Sequence, residues 1–168
     1  LGPVDGAGEG FDGAVTGLEF LPDGSLVSIG NGGLWLWNLV QKSHEVLAPS
    51  RGWDVSVFGG GQYVASVVDR MDDETRCVIE ITDLETRART IVTSETTDPV
   101  WAAIDRKGEV LVSVDLTDNR ALRVGATSAW EPHLLLGHRE RIFAVAVSPD
   151  GTMLAYSGRT ADGVILLW

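Results

Sequence analysis

The residues of this chain that could carry catalytic or metal chemistry are few and widely separated. The three histidines, His44, His133 and His138, show no spacing such as His-x-x-x-His that would place two imidazoles on one metal ion. The acid-rich segment 69–76 lacks the central glycine and the alternating oxygen ligands of a calcium loop. We therefore predict no metal ion and no other cofactor.

Nucleophile motifs are also missing from the sequence. It holds neither a Gly-x-Ser-x-Gly elbow nor a Ser-x-x-Lys pair. The single cysteine, Cys77, opens an apolar segment, where a thiol is expected to be a small inert side chain. These observations predict no catalytic residue and a protein that is not an enzyme. A lone cysteine also fits a reducing compartment, so we expect a cytoplasmic location.

The charge balance excludes whole classes of partner. The net charge is −11, and the 13 basic residues are spread along the chain without a cluster that could neutralise a run of phosphates. No apolar run approaches the roughly 18 residues of a membrane-spanning helix. The sequence thus predicts neither a nucleic-acid partner nor a membrane partner.

Four similar units make up almost the whole chain. Each has an apolar run, a tight turn with glycine and a second apolar run, and the turn glycines recur at intervals of roughly 40 residues. A third short apolar segment follows every pair, and a fourth, more polar one follows in three units. The four turn glycines are Gly24, Gly61, Gly108 and Gly151.

The short apolar segments are predicted to be strands. They are rich in Val, Ile and Leu and are bounded by Gly, Asp, Asn and Pro, and no stretch carries an apolar stripe of helical period. Segments such as "IFAVAV" and "VWAAI" are apolar at nearly every position, which is typical of strands covered on both faces. Four-stranded antiparallel units at this period predict an all-β chain, a β-propeller of four blades.

The last unit carries a specific resemblance. "GHRERIFAVAVSPDGTMLAYSGRTADGVILLW" resembles a WD repeat, with a Gly-His start, an "SPDG" turn and a closing tryptophan. In that family a histidine, a strand hydroxyl, a turn aspartate and the tryptophan form a hydrogen-bonded relay inside the blade. The resemblance assigns these roles to His138, Ser157, Asp162 and Trp168.

The first unit matches the same pattern less completely. Trp37 fills the tryptophan position, and Asn31 stands where the family has aspartate. Trp35 lies two residues before Trp37 in a predicted strand, so both rings are expected on the same face of the sheet.

The second and third units are more degenerate. The third keeps Asp118 at the aspartate position, but Val124 stands where the tryptophan is expected. The second keeps only the strand pattern, with Thr82 in place of the tryptophan. Mixed repeats of this kind are normal for the family, so the resemblance concerns architecture and assigns no specific function.

The repeat pattern divides the chain into a leader and four blades of one propeller. The fourth unit ends with its third strand, and the glycine-rich start is a poor outer strand. We expect an incomplete ring, completed by its remaining blades or by another chain, with self-association possible through the open blade edges. The predicted bounds are a leader at 1–13 and blades at 14–48, 49–94, 95–136 and 137–168.

The predicted function is protein binding. Aromatic and arginine side chains, the usual anchors of protein interfaces, lie near the loops that enter the inner strands. The alternative for each aromatic ring is packing in the core. We expect a non-catalytic interaction or sensing module of a larger regulatory, signalling protein; the alternative is the propeller of a hydrolase or peptidase whose catalytic residues lie outside this chain. The predicted binding face comprises Arg51, Trp53, Trp101, Arg139, Arg141 and Phe143.

Overall fold

The computed structural model describes residues 13–69, 77–92, 99–115, 122–135, 141–158 and 165–168. A short 3₁₀ turn, Gly59–Gly61, is the only helical element in these ranges. The strands in the first half are β1 (Val15–Phe20), β2 (Leu26–Gly30), β3 (Gly33–Asn38), β4 (Ser43–Ala48), β5 (Gly52–Phe58), β6 (Tyr63–Asp69), β7 (Cys77–Asp83) and β8 (Arg89–Ile91). Those in the second half are β9 (Pro99–Ile104), β10 (Val110–Asp115), β11 (Leu122–Ala126), β12 (Ala129–Leu135), β13 (Ile142–Val147), β14 (Leu154–Gly158) and β15 (Ile165–Leu167).

Consecutive strands pair with each other to form four antiparallel sheets. The first three sheets have four strands each, in the orders β1-β2-β3-β4, β5-β6-β7-β8 and β9-β10-β11-β12. The described part of the fourth sheet has three, in the order β13-β14-β15. Every connection within a sheet is therefore a hairpin between neighbours in the chain.

The sheets pack face to face in chain order. The first strands of the four sheets, β1, β5, β9 and β13, contact one another in succession and form the inner side of the arc. Apolar side chains fill each gap: Val27, Ile29 and Val64 between the first two sheets, Val67 and Leu111 between the second and third, and Val112 and Leu154 between the last two. The sheets do not close on themselves, so the predicted all-β propeller with an incomplete ring is confirmed.

Burial follows from the position of each sheet in the arc. Five consecutive residues of β6, Val64–Val68, are buried because the second sheet is covered on both faces. In β1, by contrast, Leu18 and Phe20 are 62% and 64% exposed, because among the described residues the first sheet has a neighbouring sheet on one face only. The segment "IFAVAV" differs from the expectation of cover on both faces: three of the six residues of β13 are exposed, because this strand belongs to the last sheet.

Turn chemistry places the hairpins. In the "PDG" turn between β1 and β2, Gly24 has φ +85°, a backbone conformation that residues other than glycine rarely adopt. In the equivalent turn of the fourth sheet, the Asp150 carboxylate accepts hydrogen bonds from the Ser148 hydroxyl (2.6 Å) and from the N–H of Thr152 (3.1 Å). These bonds, that of the Ser148 hydroxyl first, lower the pKa of Asp150 to about 2.

Candidate interaction surface

Each inner strand carries a β-bulge at the same place, near its first residue. The pairing of β1 with β2 shifts between Val15 and Gly17, which leaves Thr16 without a partner residue. The same shift leaves Trp53 unpaired in β5, Val100 in β9 and Phe143 in β13. A bulge re-aims a side chain away from the regular pleat, and bulges are common at binding sites. The sheets therefore present one equivalent position each on the same rim of the arc.

An arginine precedes the bulge residue by two positions in the second and fourth sheets. The Arg51 Cζ atom lies 4.9 Å from the centre of the Trp53 ring, within the range of a cation–π contact. Arg141 holds the same position relative to Phe143, whose side chain is 47% exposed. We call Arg51 with Trp53 and Arg141 with Phe143 the rim pairs.

The rest of the predicted binding face differs from the rim pairs. Trp101 lies one residue past the bulge position and pairs with Val114. Its side chain is partly buried and packs against the core cluster between the third and fourth sheets. Its place on the binding face stays a prediction. Arg139 lies outside the described residues.

Strand register also identifies the relay positions. In each sheet, one residue of the second strand pairs with the residue that lies two positions after the bulge. These residues are Ser28, Ser66, Ser113 and Tyr156. In the first sheet the Trp37 indole N–H donates to the Ser28 hydroxyl oxygen at 2.8 Å. This is the tryptophan–hydroxyl half of the relay that the resemblance implied for the first unit.

The second and third sheets keep the serine but have lost the tryptophan. Register places Thr82 and Gly125 at the positions equivalent to Trp37. In the third sheet the tryptophan position is therefore Gly125, one residue after the Val124 expected from the sequence. The hydroxyls of Ser66, Thr82 and Ser113 are buried, and none has a hydrogen-bond partner among the described residues. A buried hydroxyl without a partner lowers stability because it has given up its bonds to water.

A second substitution accompanies the loss of the tryptophan. In the first sheet Trp35, Trp37 and His44 form a ring cluster, with centroids 5.1 to 5.8 Å apart. In the second sheet the same three positions hold Glu80, Thr82 and Arg89, and the Arg89 guanidinium donates to both oxygens of the buried Glu80 carboxylate at 2.7 and 2.8 Å. The Glu80 carboxylate raises the pKa of Arg89.

The relay of the fourth sheet stays a prediction. His138, Asp162 and the Asp118 of the third unit lie outside the described residues. Register places Tyr156, and not the predicted Ser157, at the position of Ser28, while Trp168 occupies the position of Trp37. Asn31 in the first sheet is exposed, and its backbone N–H bonds to the Ala14 carbonyl at 3.1 Å.

Two carboxylates connect the inner strands. One oxygen of Glu19 accepts the N–H of Val57 in the next sheet at 2.8 Å, and one oxygen of Asp54 accepts the N–H of Ala102 at 3.1 Å. Burial raises the pKa of both groups above their usual values; the backbone hydrogen bonds act in the opposite direction. These contacts depend on how one sheet faces the next, so no local sequence pattern predicts them.

In the described ranges, no three His, Cys, Asp or Glu side chains come together as a metal ion would require, and no helix is both long and apolar enough to span a membrane. A cavity of about 410 Å³ lies between the third and fourth sheets. Its lining is mainly apolar and includes Val112, Val124, His133, Leu154 and Trp168.

Comparisons with known proteins agree with this architecture. Residues 130–168 match the family model described as WD domain, G-beta repeat, and the resemblance of the last unit to a WD repeat is confirmed. No curated protein sequence matches the chain.

Solved structures match over nearly the whole chain. A chain of the structure titled "Crystal Structure of Mitotic Checkpoint Complex" matches with a TM-score of 0.72 and 18% identity, over 95% of this chain and 50% of that one. The Cps50 (Swd1) β-propeller domain of Myceliophteria thermophila matches with a TM-score of 0.69 and 15% identity, over 93% and 54%. At these identities the likeness shows the fold alone, and the chain spans about half the length of either match.

Proposed function

We propose that this chain is a non-catalytic protein-interaction module that docks its partner through the rim pairs. The observation that carries the proposal is the repetition of an arginine and an aromatic ring at one register position, on a rim where Phe143 is 47% exposed. Arginine and aromatic residues are enriched among the side chains that dominate binding energy. The proposal therefore follows from the side chains on the rim and does not rest on the fold.

The rim pairs are also well positioned for binding. They sit at the start of β5 and β13, each of which pairs with the second strand of its sheet and packs against the inner strand of a neighbouring sheet. A side chain on a rigid strand gives up less conformational freedom on binding than one on a long loop. The contact between Arg51 and Trp53 holds both side chains in place before a partner arrives.

The wider setting is also part of the proposal. We place the module in a larger regulatory protein of the cytoplasm, acting in signalling. The support is a chain about half as long as its structural matches and a lone cysteine, Cys77. The apolar outer flank of the first sheet, with Leu18 and Phe20 exposed, suits a further blade.

Proximity labelling in the native host tests the proposal. The wild type and the double variant Trp53→Ala/Phe143→Ala are expressed at equal levels, and labelled proteins are compared. We expect the double variant to lose a defined set of neighbours. Val40→Ala is the matched control, because Val40 is 92% exposed in the turn between β3 and β4, at the opposite end of the sheet. Identical labelling by the wild type and the double variant contradicts the proposal.

A further inference from the structure

The two rim pairs occupy alternate sheets of the arc. The second and fourth sheets carry an arginine two residues before an aromatic bulge residue, whereas the first sheet has Ala14 and Thr16 at those positions. The third sheet lies between the two pairs. Because packed sheets are about 10 Å apart, the two arginines are separated by about 20 Å along the rim.

The rim arginines differ from other arginines of the chain in their charge environment. The guanidinium groups of Arg87 and Arg89 are each 2.7 Å from a carboxylate, that of Glu45 or Glu80. Arg51 and Arg141 are exposed and make no ion pair in the ranges that the structure describes. Within these ranges no carboxylate of the chain neutralises either positive charge.

The surroundings of Arg51 leave its hydrogen-bond donors accessible. The Arg51 Cζ atom lies over the Trp53 ring, 4.9 Å from its centre. An arginine stacked on an aromatic face keeps the N–H donors at its edge for other partners. Asp69 is a near neighbour: its backbone N–H bonds to the Arg51 carbonyl at 2.8 Å. Its carboxylate accepts the Cys77 thiol at 3.6 Å and forms no ion pair with Arg51. A planar donor fork of this kind matches a carboxylate or a phosphoryl group.

We infer that the rim pairs recognise an acidic, extended peptide segment with two anionic side chains about six residues apart, since an extended chain advances about 3.3 Å per residue. The inference rests on the proposed function and names the chemistry of the partner. The net charge of −11 sharpens the selectivity, because an acidic segment is repelled by most of the protein surface and attracted to the rim.

Fluorescence anisotropy with labelled synthetic peptides tests the inference. The probe is an extended peptide rich in Thr and Val with two glutamates about six residues apart; a second version has glutamines and a third has phosphoserines. We expect the glutamine peptide to bind at least about tenfold more weakly, and added salt to weaken the binding of both anionic peptides. Whichever anionic peptide binds more tightly shows whether the rim pairs prefer a carboxylate or a phosphate.

Variants of the full chain locate the site. Arg51→Gln and Arg141→Gln are each expected to weaken binding of the glutamate peptide about tenfold. Arg87→Gln is the control, because it removes the same charge away from the rim. Arg51→Lys keeps the charge without the planar fork, so an intermediate affinity is expected. Circular dichroism confirms that each variant is folded.

Three outcomes overturn the inference: equal affinity for the glutamine peptide, an equal effect of Arg87→Gln, or unchanged binding when the two glutamates are placed side by side. These outcomes leave the proposed function standing if labelling of partners still depends on Trp53 and Phe143. If the double variant is labelled like the wild type while the glutamate peptide still binds, the proposed function fails and the peptide preference of the rim pairs stands. The two proposals therefore fail separately.

Discussion

At the scale of single side chains, one hydroxyl position shows how a hydrogen bond depends on its partner. Ser28 and Ser66 are both 2% exposed and occupy the same register position in adjacent sheets. Ser28 accepts the Trp37 indole N–H, whereas Ser66 has no partner among the described residues. The same residue type is therefore expected to stabilise one sheet and to weaken the next.

Paired alanine substitutions test this contrast. Ser28→Ala removes the acceptor of the indole N–H and is expected to lower the free energy of unfolding by about 1 to 2 kcal/mol. Ser66→Ala removes a buried hydroxyl that makes no bond, so its effect is expected between zero and a gain of about 1 kcal/mol. Urea denaturation of both variants measures the difference. Equal losses of stability would show that Ser66 has a partner that matters.

The carboxylate of Glu19 makes stability depend on pH. Burial, with a further contribution from the charge of Asp54, raises its pKa, although the Val57 N–H lowers it. Between its ordinary and its raised pKa, the folded state binds more protons than the unfolded state. Stability contributed by Glu19 is therefore complete below the ordinary pKa and is lost as the pH rises through the raised one.

Glu19→Gln removes the charge and keeps an oxygen that can accept the Val57 N–H. We expect the variant to be more stable than the wild type at neutral pH, by less than about 1 kcal/mol because the group is half exposed, and to show no gain near pH 4. Denaturant unfolding across this pH range measures it. Glu45→Gln is the control: Arg87 lowers the pKa of Glu45, so the loss of stability there occurs as the pH falls. A gain in stability for Glu19→Gln that is the same at every pH contradicts the raised pKa of Glu19.

At the scale of strands and sheets, the sequence predicted the elements but not their register. Turn glycines and β-branched runs located the hairpins because both are local signals. Register was not predictable, because interior strands are apolar on both faces and a shift by one residue leaves the pattern unchanged. This explains why Ser157 was predicted for the position that holds Tyr156, and Val124 for that of Gly125. The bulges that create the rim pairs had no sequence signal of their own.

Close packing around the second inner strand gives an element-scale prediction. A Cβ atom at Gly52 would contact the Ile29 side chain and lie 2.6 Å from the Val67 carbonyl oxygen, so something must shift to admit it. Gly52→Ala is expected to destabilise the fold by about 1 to 3 kcal/mol through overpacking between the first two sheets. Thermal unfolding measures it. Gly24→Ala, with open space around the added carbon, is expected to cost only about 1 kcal/mol for its positive φ. An equal loss for both would contradict the packing argument.

At the scale of the whole molecule, the open arc leaves both of its flanks uncovered by the residues that the structure describes. Leu18 and Phe20 are 62% and 64% exposed on the first sheet, and Ile165 and Leu167 are 67% and 64% exposed on the last. Contiguous apolar surface of this kind on a soluble domain usually marks an interface. The interior sheets show what such a flank requires: a neighbouring sheet that supplies apolar side chains.

Association in solution tests the role of these flanks. We expect the isolated chain to bind a hydrophobic dye and to self-associate with rising concentration, as measured by light scattering. Leu18→Ser/Phe20→Ser is expected to reduce both signals, because it removes two exposed apolar side chains from one flank. Val40→Ser, which removes an isolated exposed side chain, is expected to change neither. A monomer without dye binding at every concentration would contradict this expectation.

The consecutive strand order has a consequence for how the chain acquires its structure during synthesis. Within each sheet, every strand after the first pairs with the strand made just before it, and each sheet packs on the sheet just completed. A nascent chain leaving the ribosome can therefore fold sheet by sheet, without waiting for a distant segment to be translated. Joining the two ends of the arc would not be vectorial, because the first sheet would have to wait for a blade made later or for another chain. The four sheets can therefore pack in the order in which they are translated, whereas the joining of the two ends cannot follow that order.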